Sequence, residues 1–416
     1  MKKRERGLGM IKIFSLIRPI KPIKPIKPIK SIKPIKPIVL ISFVGLMALS
    51  GCRREPPLYL YGSTIIEWPI VELRLDVYWD YEINLGINYN WRDEWYYGWD
   101  DEDRAAYGEL EYVVPNKFFL RRYFTGDIPY GKRLYKREDY VEGRSFRSSY
   151  DWGFWDILVW NDVETFDNVQ SLHFDESSDI DKPIIAYTNQ TMNAVRYYSP
   201  KYQNSFWQPE QLFSAIEQGV EINRDLTGFE YNEEENVWVK MLDMMLEPLT
   251  YIYLPQVILH NNKGRVTSVP GTANLSGMAR STNLNTGVAG TDGIAVHFGV
   301  RLKNNKEYKD GEIVDIIGGR LMTFGICGQN GNRVSRAEES YDNEHHYIDM
   351  TMQFYNGMDS VFVFDVTDQV RKRYKGGVIT MELNLDTVPI PKRKGGSGFD
   401  AVVKDYEDGG TWEFPM

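Results

Sequence analysis

The sequence predicts an all-β protein made of antiparallel β-sandwiches. Apolar residues alternate with polar ones over most of the chain, Gly, Asn and Asp turns separate the alternating runs, and helix patterns are few. Val71, Leu73, Leu75, Val77, Trp79 and Tyr81 alternate with Glu72, Arg74, Asp76, Tyr78, Asp80 and Glu82, as a half-buried strand requires. FWDILVWN (Phe154–Asn161), KPIIAYT (Lys182–Thr188) and NVWVKMLDMML (Asn236–Leu246) read the same way. So do YIDMTMQFY (Tyr347–Tyr355), SVFVFDVT (Ser360–Thr367) and GVITMELNL (Gly377–Leu385). NNKG, GTDG and GQNGN supply turns between runs. QPEQLFSAIEQG (Gln208–Gly219) places Pro209 in a first turn and Leu212, Phe213 and Ile216 on one face, which predicts a short helix. DVTDQVRKRY (Asp365–Tyr374) predicts another turn or two.

The first 51 residues read as a leader. Ile-Lys-Pro triplets from Arg18 onward lock φ and remove backbone donors, so they form neither helix nor sheet and serve as an enlarged basic n-region. Ile38–Leu49 carries no charge and has the length of a signal-peptide core rather than of a membrane span. It ends in Leu49-Ser50-Gly51-Cys52, which resembles a bacterial lipobox, with Cys52 as the acylated first residue of the mature chain. Arg53 stands where an aspartate would signal inner-membrane retention, so the expected location is the outer membrane, lipid-anchored and surface-exposed.

The full chain has a net charge of −9. Removing the leader, with its twelve Lys/Arg and single Glu5, leaves −20, a balance that disfavours nucleic-acid partners. Only Cys327 remains besides Cys52, so burial rather than an internal disulfide must stabilise the fold. The mature length accommodates two cores, and a shift from Tyr/Trp-rich to Gly/Asn/Thr-rich sequence near Leu246–Pro255 divides it into 52–248 and 249–416.

Chemical motifs are scarce. The five histidines show no i, i+4 zinc spacing, and His345-His346 on a strand would point to opposite faces. P-loop, dinucleotide-binding and nucleophile-elbow motifs are missing from the sequence, and no carboxylate pair stands out, so neither an enzyme, a metal nor a cofactor is expected. The most unusual mature segment is NYNWRDEWYYGWDDEDRAAYG (Asn88–Gly108), where Trp91, Trp95 and Trp99 recur every four residues beside an acidic run. Two readings fit. The rings offer a contact surface for a partner or a glycan, or they fill a core with the acids solvated around them.

At VILHNNKGRVTSVPGTANLSGMARSTNLNTG (Val257–Gly287) the chain resembles the Bacteroidetes fimbrillin-like lipoproteins, in which a strand leads to an LSGMA turn and a small-polar stretch ending in Thr-Gly. GGRLMTFGI (Gly318–Ile326), YIDMTMQF, VFVFDVTDQV (Val361–Val370), GSGFDAVVKDYEDGGTWE (Gly396–Glu413) and GRSFRSSYDWGFWDILVWND (Gly143–Asp162) extend the resemblance in order. It implies two tandem transthyretin-like sandwiches in a non-enzymatic outer-membrane lipoprotein. Such a protein serves as anchor, tip or accessory subunit of a fimbria and joins fimbrillin-like subunits by strand addition to an open sheet edge. Stalk subunits of that kind lose an N-terminal segment to a trypsin-like protease, for which Arg92, Arg104 and Arg121-Arg122 are the candidate positions. The alternative is a surface glycan-binding lipoprotein, with polysaccharide on the Trp91/Trp95/Trp99 rings.

Overall fold

A computed structural model describes residues 69–77, 90–163, 170–189, 205–328, 345–392 and 411–414, all within one compact unit, Glu67–Met416. The lipobox residues Leu49, Ser50, Gly51 and Cys52 lie outside the described residues, as do Tyr78–Tyr89. The architecture is all-β, as the period-two pattern predicts.

Eleven described strands precede residue 249: β1 (Ile70–Val77), β2 (Lys117–Gly126), β3 (Tyr135–Glu142), β4 (Ser145–Ser149), β5 (Gly153–Asn161), β6 (Leu172–Asp175), β7 (Ile185–Thr188), β8 (Ser205–Trp207), β9 (Phe213–Ile222), β10 (Glu230–Asn232) and β11 (Val237–Pro248). Eleven follow: β12 (Tyr251–His260), β13 (Val266–Ser268), β14 (Thr272–Ala279), β15 (Ser281–Asn283), β16 (Gly293–Glu307), β17 (Ile313–Gly319), β18 (Leu321–Thr323), β19 (Tyr347–Phe354), β20 (Asp359–Asp365), β21 (Gly377–Asn384) and β22 (Thr411–Phe414). The described helices are short: α1 (Trp91–Glu94), α2 (Asp101–Tyr107) and α3 (Thr367–Lys372).

The first sheet runs β3-β2-β5-β9-β11-β1-β4, with β10 on β11. Its two faces meet through β11, which pairs with β1 along Val239–Leu246 and then with β9 at Glu247 and Pro248. Val71, Leu73, Phe118, Trp155, Ile157 and Phe213 fill the space between those faces. The second sheet runs β18-β12-β17-β16-β14-β19-β20-β22, and β16 turns its corner: Gly293–Gly299 pairs with β14, Val300–Glu307 with β17. Leu275, Val296, Phe298, Ile317, Ile348 and Phe364 form its core. A third sheet, β15-β7-β6, covers the outer side of β2, β5 and β9 through Tyr123, Leu158, Trp160, Leu172 and Leu284.

Sheet membership changes between β11 and β12, but three pieces cross that point. β8 pairs with β16, β15 pairs with β7, and the 90–112 stretch packs on strands that follow residue 249.

The LSGMA stretch lies on β14, where the register with β16 shifts between Ser276 and Met278. Gly277 sits there at φ +82°, and a Cβ would lie 2.7 Å from His346 Nδ1 and 2.8 Å from the His345 carbonyl. Only glycine fits this bulge. Of the two adjacent histidines, His346 is buried and His345 exposed.

One predicted helix is a strand. Gln208–Gly219 contributes β9, paired with β5 and β11. Phe213 and Ala215 enter the first core while Leu212 and Ile216 face the covering sheet. A strand apolar on both faces loses its polar alternation, and its buried positions then mimic a helical face. The predicted turn in Asp365–Tyr374 is α3.

Candidate functional site

Two features of the chain before residue 120 bear on function: the position of β1 and the docking of the aromatic segment. β1 lies inside its sheet, parallel to β11 (Ile70↔Val239 to Val77↔Leu246) and antiparallel to β4 (Ile70↔Ser149 to Arg74↔Ser145). Val71, Leu73 and Leu75 are buried in the first core. At about 1.5–3 kcal/mol for each buried aliphatic side chain, the three stabilise this insertion by roughly 4.5–9 kcal/mol. On the opposite face Glu72 pairs with Arg147 at 3.3 Å, which in turn binds Glu235 at 2.6 Å. Were β1 withdrawn, β11 and β4 would each present an open edge beside an apolar slot.

The segment 90–112 docks on the outer side of β12, β16, β17 and β21. Trp91 and Trp95 are buried, only 4% and 8% exposed, against Ile252, Leu254, Ile258 and Ile316, together with Tyr97. Trp99 is half-buried and donates from Nε1 to the Gly108 carbonyl at 3.1 Å. The Trp91 and Trp95 rings therefore fill a core, and of the three only Trp99 keeps part of its ring at the surface. Two glycines make room for the docking. A Cβ at Gly318 would stand 2.3 Å from the Tyr97 ring, and one at Gly299 2.1 Å from the Tyr107 ring.

The acidic run is a fastening. Asp100 caps α2 by accepting from the Asp103 N–H at 2.9 Å, and the Asp103 carboxylate returns a bond to the Asp100 N–H at 3.1 Å, a reciprocal capping box. Asp103 is fully buried and also accepts from Tyr97 Oη at 2.7 Å, Arg301 at 2.8 Å and Lys303 Nζ at 2.5 Å. Glu102 pairs with Arg301 as well. Two cations from β16 thus neutralise the buried carboxylate, which alone would be costly. The Lys303 hydrogen bond holds Asp100 below the usual carboxylate range, while desolvation and the Asp103 bond push the Tyr97 phenol up. Gln256, buried on β12, completes the dock: its Oε1 accepts from the Tyr96 and Tyr97 N–H groups, and its Nε2 donates to the Glu94 carbonyl. The 90–112 sequence signals aromatic content, but nothing in it indicates that Gly299, Gln256, Arg301 and Lys303 lie beneath.

Of the candidate cleavage positions, Arg121 and Arg122 are buried in β2, which removes them from a protease's reach. Arg92 and Arg104 are exposed and ion-paired, Arg92 to Glu111 at 2.5 Å and Arg104 to Asp101 at 2.8 Å. Among the described residues no group of three or more His, Cys, Asp or Glu side chains is arranged to hold a metal ion, and Cys327 is buried.

No protein-family model matches the chain, and no curated protein matches its sequence. Solved structures do. The chain is similar to a candidate adhesin from Bacteroides ovatus at 15% identity and a TM-score of 0.42, over 76% of this chain and 92% of that one. It is similar to a candidate polysaccharide-binding protein from Bacteroides thetaiotaomicron at 10% identity and a TM-score of 0.39, over 76% and 90%. The fimbrial anchor protein Mfa2 from Porphyromonas gingivalis matches at 10% identity and a TM-score of 0.35, over 75% and 90%. At such identities and scores the likeness says nothing of what this chain binds.

Proposed function

We propose that this chain is a non-enzymatic, cell-surface subunit of a fimbria, anchored in the outer membrane by acylated Cys52 and joined to fimbrillin-like partners by strand addition. The observation that supports the reading is β1. A strand from early in the mature chain lies inside a sheet, parallel to a strand some 170 positions later, with alternate side chains filling an apolar slot. Strand complementation uses this geometry: main-chain bonds supply affinity and alternate side chains supply register. The lipobox and the order of the LSGMA-type motifs supply the membrane and the assembly. The tandem transthyretin-like arrangement divided at 248/249 belongs to this proposal, and anchor or accessory suits a lipidated subunit better than stalk. A glycan-binding role on Trp91, Trp95 and Trp99 is less favoured, because Trp91 and Trp95 are buried and only Trp99 is half-exposed.

The test is fractionation of a Bacteroidetes host expressing the full chain or Cys52→Ala, with outer membranes run unboiled on denaturing gels. The native chain is expected in the outer membrane within an SDS-resistant ladder of subunits, and the variant in the soluble fraction. A native chain that is soluble and alone would overturn the proposal.

A further inference from the structure

β21 ends its sheet. Among the described residues its only strand partner is β12, in parallel register from Tyr253↔Gly377 to His260↔Asn384. Along its other side runs a cleft of about 820 Å³ whose walls include Tyr96, Tyr308, Asp368, Gln369, Thr380 and Glu382. An open strand edge bordering a cleft is the geometry onto which an extended peptide adds.

The edge is held by a side chain acting as a strand. The Thr380 N–H donates to Gln369 Oε1 at 2.9 Å, and Gln369 Nε2 donates to the Thr380 carbonyl at 2.8 Å. One primary amide thereby satisfies both outward main-chain groups of one residue, with the donor and acceptor a neighbouring strand would bring. Main-chain groups alternate sides along a strand, so those of Glu382 point the same way as those of Thr380. The Glu382 side chain is drawn aside, accepting from Tyr308 Oη at 2.6 Å and pairing with Lys309 at 3.4 Å. Gln369 stands on a two-turn helix and reaches the edge through a flexible side chain, so it can swing away without disturbing β21.

We infer that this cleft accepts an extended, hydrophilic peptide strand from another polypeptide, which adds alongside Thr380–Asn384 and displaces the Gln369 amide. Main-chain hydrogen bonding identifies the occupant as a strand. The lining identifies its side chains as polar or charged: Glu94, Asp365, Asp368 and Glu382 stand with Lys309, Arg371 and Arg373, so that both signs of charge are offered beside the Tyr96 and Tyr308 rings. The inference rests on strand addition as the mode of assembly proposed above, at a different edge from the β1 slot.

The probe is a fluorescein-labelled, end-blocked peptide, (Thr-Lys-Thr-Glu)₂, titrated by anisotropy into the full mature chain, Gln369→Ala and Glu382→Pro. Gln369→Ala removes two competing intramolecular bonds, so its affinity is expected to rise about tenfold. An outward N–H on an edge strand is the position that tolerates proline, so Glu382→Pro should keep the fold and lose binding. If that variant fails to fold, the same peptide N-methylated at every residue serves instead, and it must not bind. Equal binding by native chain, Gln369→Ala and Glu382→Pro, or by the methylated peptide, would overturn the inference. So would no binding by native chain and Gln369→Ala, which would make Gln369 an edge cap only. Membrane placement and the SDS-resistant ladder are read separately, so this site can fail while the assembly reading stands.

Discussion

Asp349 gives the sharpest test of the fold. It lies on β19 in a row across three strands, opposite Asn274 on β14, which in turn faces His297 on β16. His297 Nδ1 donates to Asn274 Oδ1 at 3.1 Å, and Asn274 Nδ2 donates to Asp349 Oδ2 at 2.9 Å. Asp349 Oδ1 has no partner, and the residue is 3% exposed. Burial pushes this carboxyl from 3.8 up to about 8, against a smaller opposing effect of the Asn274 bond. His297, itself pushed down by burial, supplies no compensating charge at neutral pH. Between pH 4 and 8 the folded chain holds a proton that the unfolded chain has released. Stability must therefore fall as pH rises through that window, by about 1.4 kcal/mol per unit and roughly 6 kcal/mol in all, before levelling off above pH 8. Asp349→Asn keeps the shape, accepts the Asn274 bond and cannot ionise. Its stability relative to the native chain is expected to rise by about 4 kcal/mol from pH 4 to pH 7 and to plateau above pH 8. Urea unfolding of both chains at pH 5, 7 and 9 reads this difference, because every other titrating group is common to the two. A difference that stays flat across the three pH values would refute the buried-carboxyl account.

Two further outcomes test the docked segment. Gly318→Ala should drive a methyl into the Tyr97 ring and cost about 1–3 kcal/mol in unfolding free energy, with a red shift of tryptophan emission as the segment lifts; unchanged emission and stability would contradict the dock. Trp95→Ala should cost about 3–5 kcal/mol by thermal or urea unfolding and leave affinity for polysaccharide untouched, whereas lost affinity at full stability would restore the contact-surface reading.

Much of the fold was legible because one-sided strands advertise themselves. Val71, Leu73 and Leu75 against Glu72 and Arg74, or Ile348, Met350 and Met352 against Asp349, Thr351 and Gln353, alternate apolar with polar at the period of two that marks a strand. Strands covered on both faces were not legible. YIYLPQVILH, which is β12, sends Tyr253, Val257 and Leu259 into one core and Ile252, Leu254 and Ile258 into another, so it carries no alternation and reads as a place where composition changes. The helix expected at Gln208–Gly219 failed for the same reason. The candidate site was less legible still. Four-residue spacing of Trp91, Trp95 and Trp99 says nothing of whether the rings face water, since the answer lies in two glycines and two cations more than 190 residues away.

The same burial argument locates the interaction chemistry. The chain has 57 Phe, Trp and Tyr residues, a stock that invites a search for aromatic platforms. Trp91, Trp95, Trp155 and Trp160 are buried, while Trp207 and Trp238 stay exposed, and the sheets of β2/β5/β9 and of β12/β17 each have their second face covered, by β6, β7 and β15 in one case and by the 90–112 segment in the other. Covering both faces of a sheet leaves its edges as the remaining source of specific, unsatisfied hydrogen-bonding groups. At β21 those groups are met by a glutamine side chain, and at β11 and β4 they are met by β1. Under the strand addition proposed above, the residues that would decide its partners are those that hold an edge, Gln369 and the Val71/Leu73/Leu75 row.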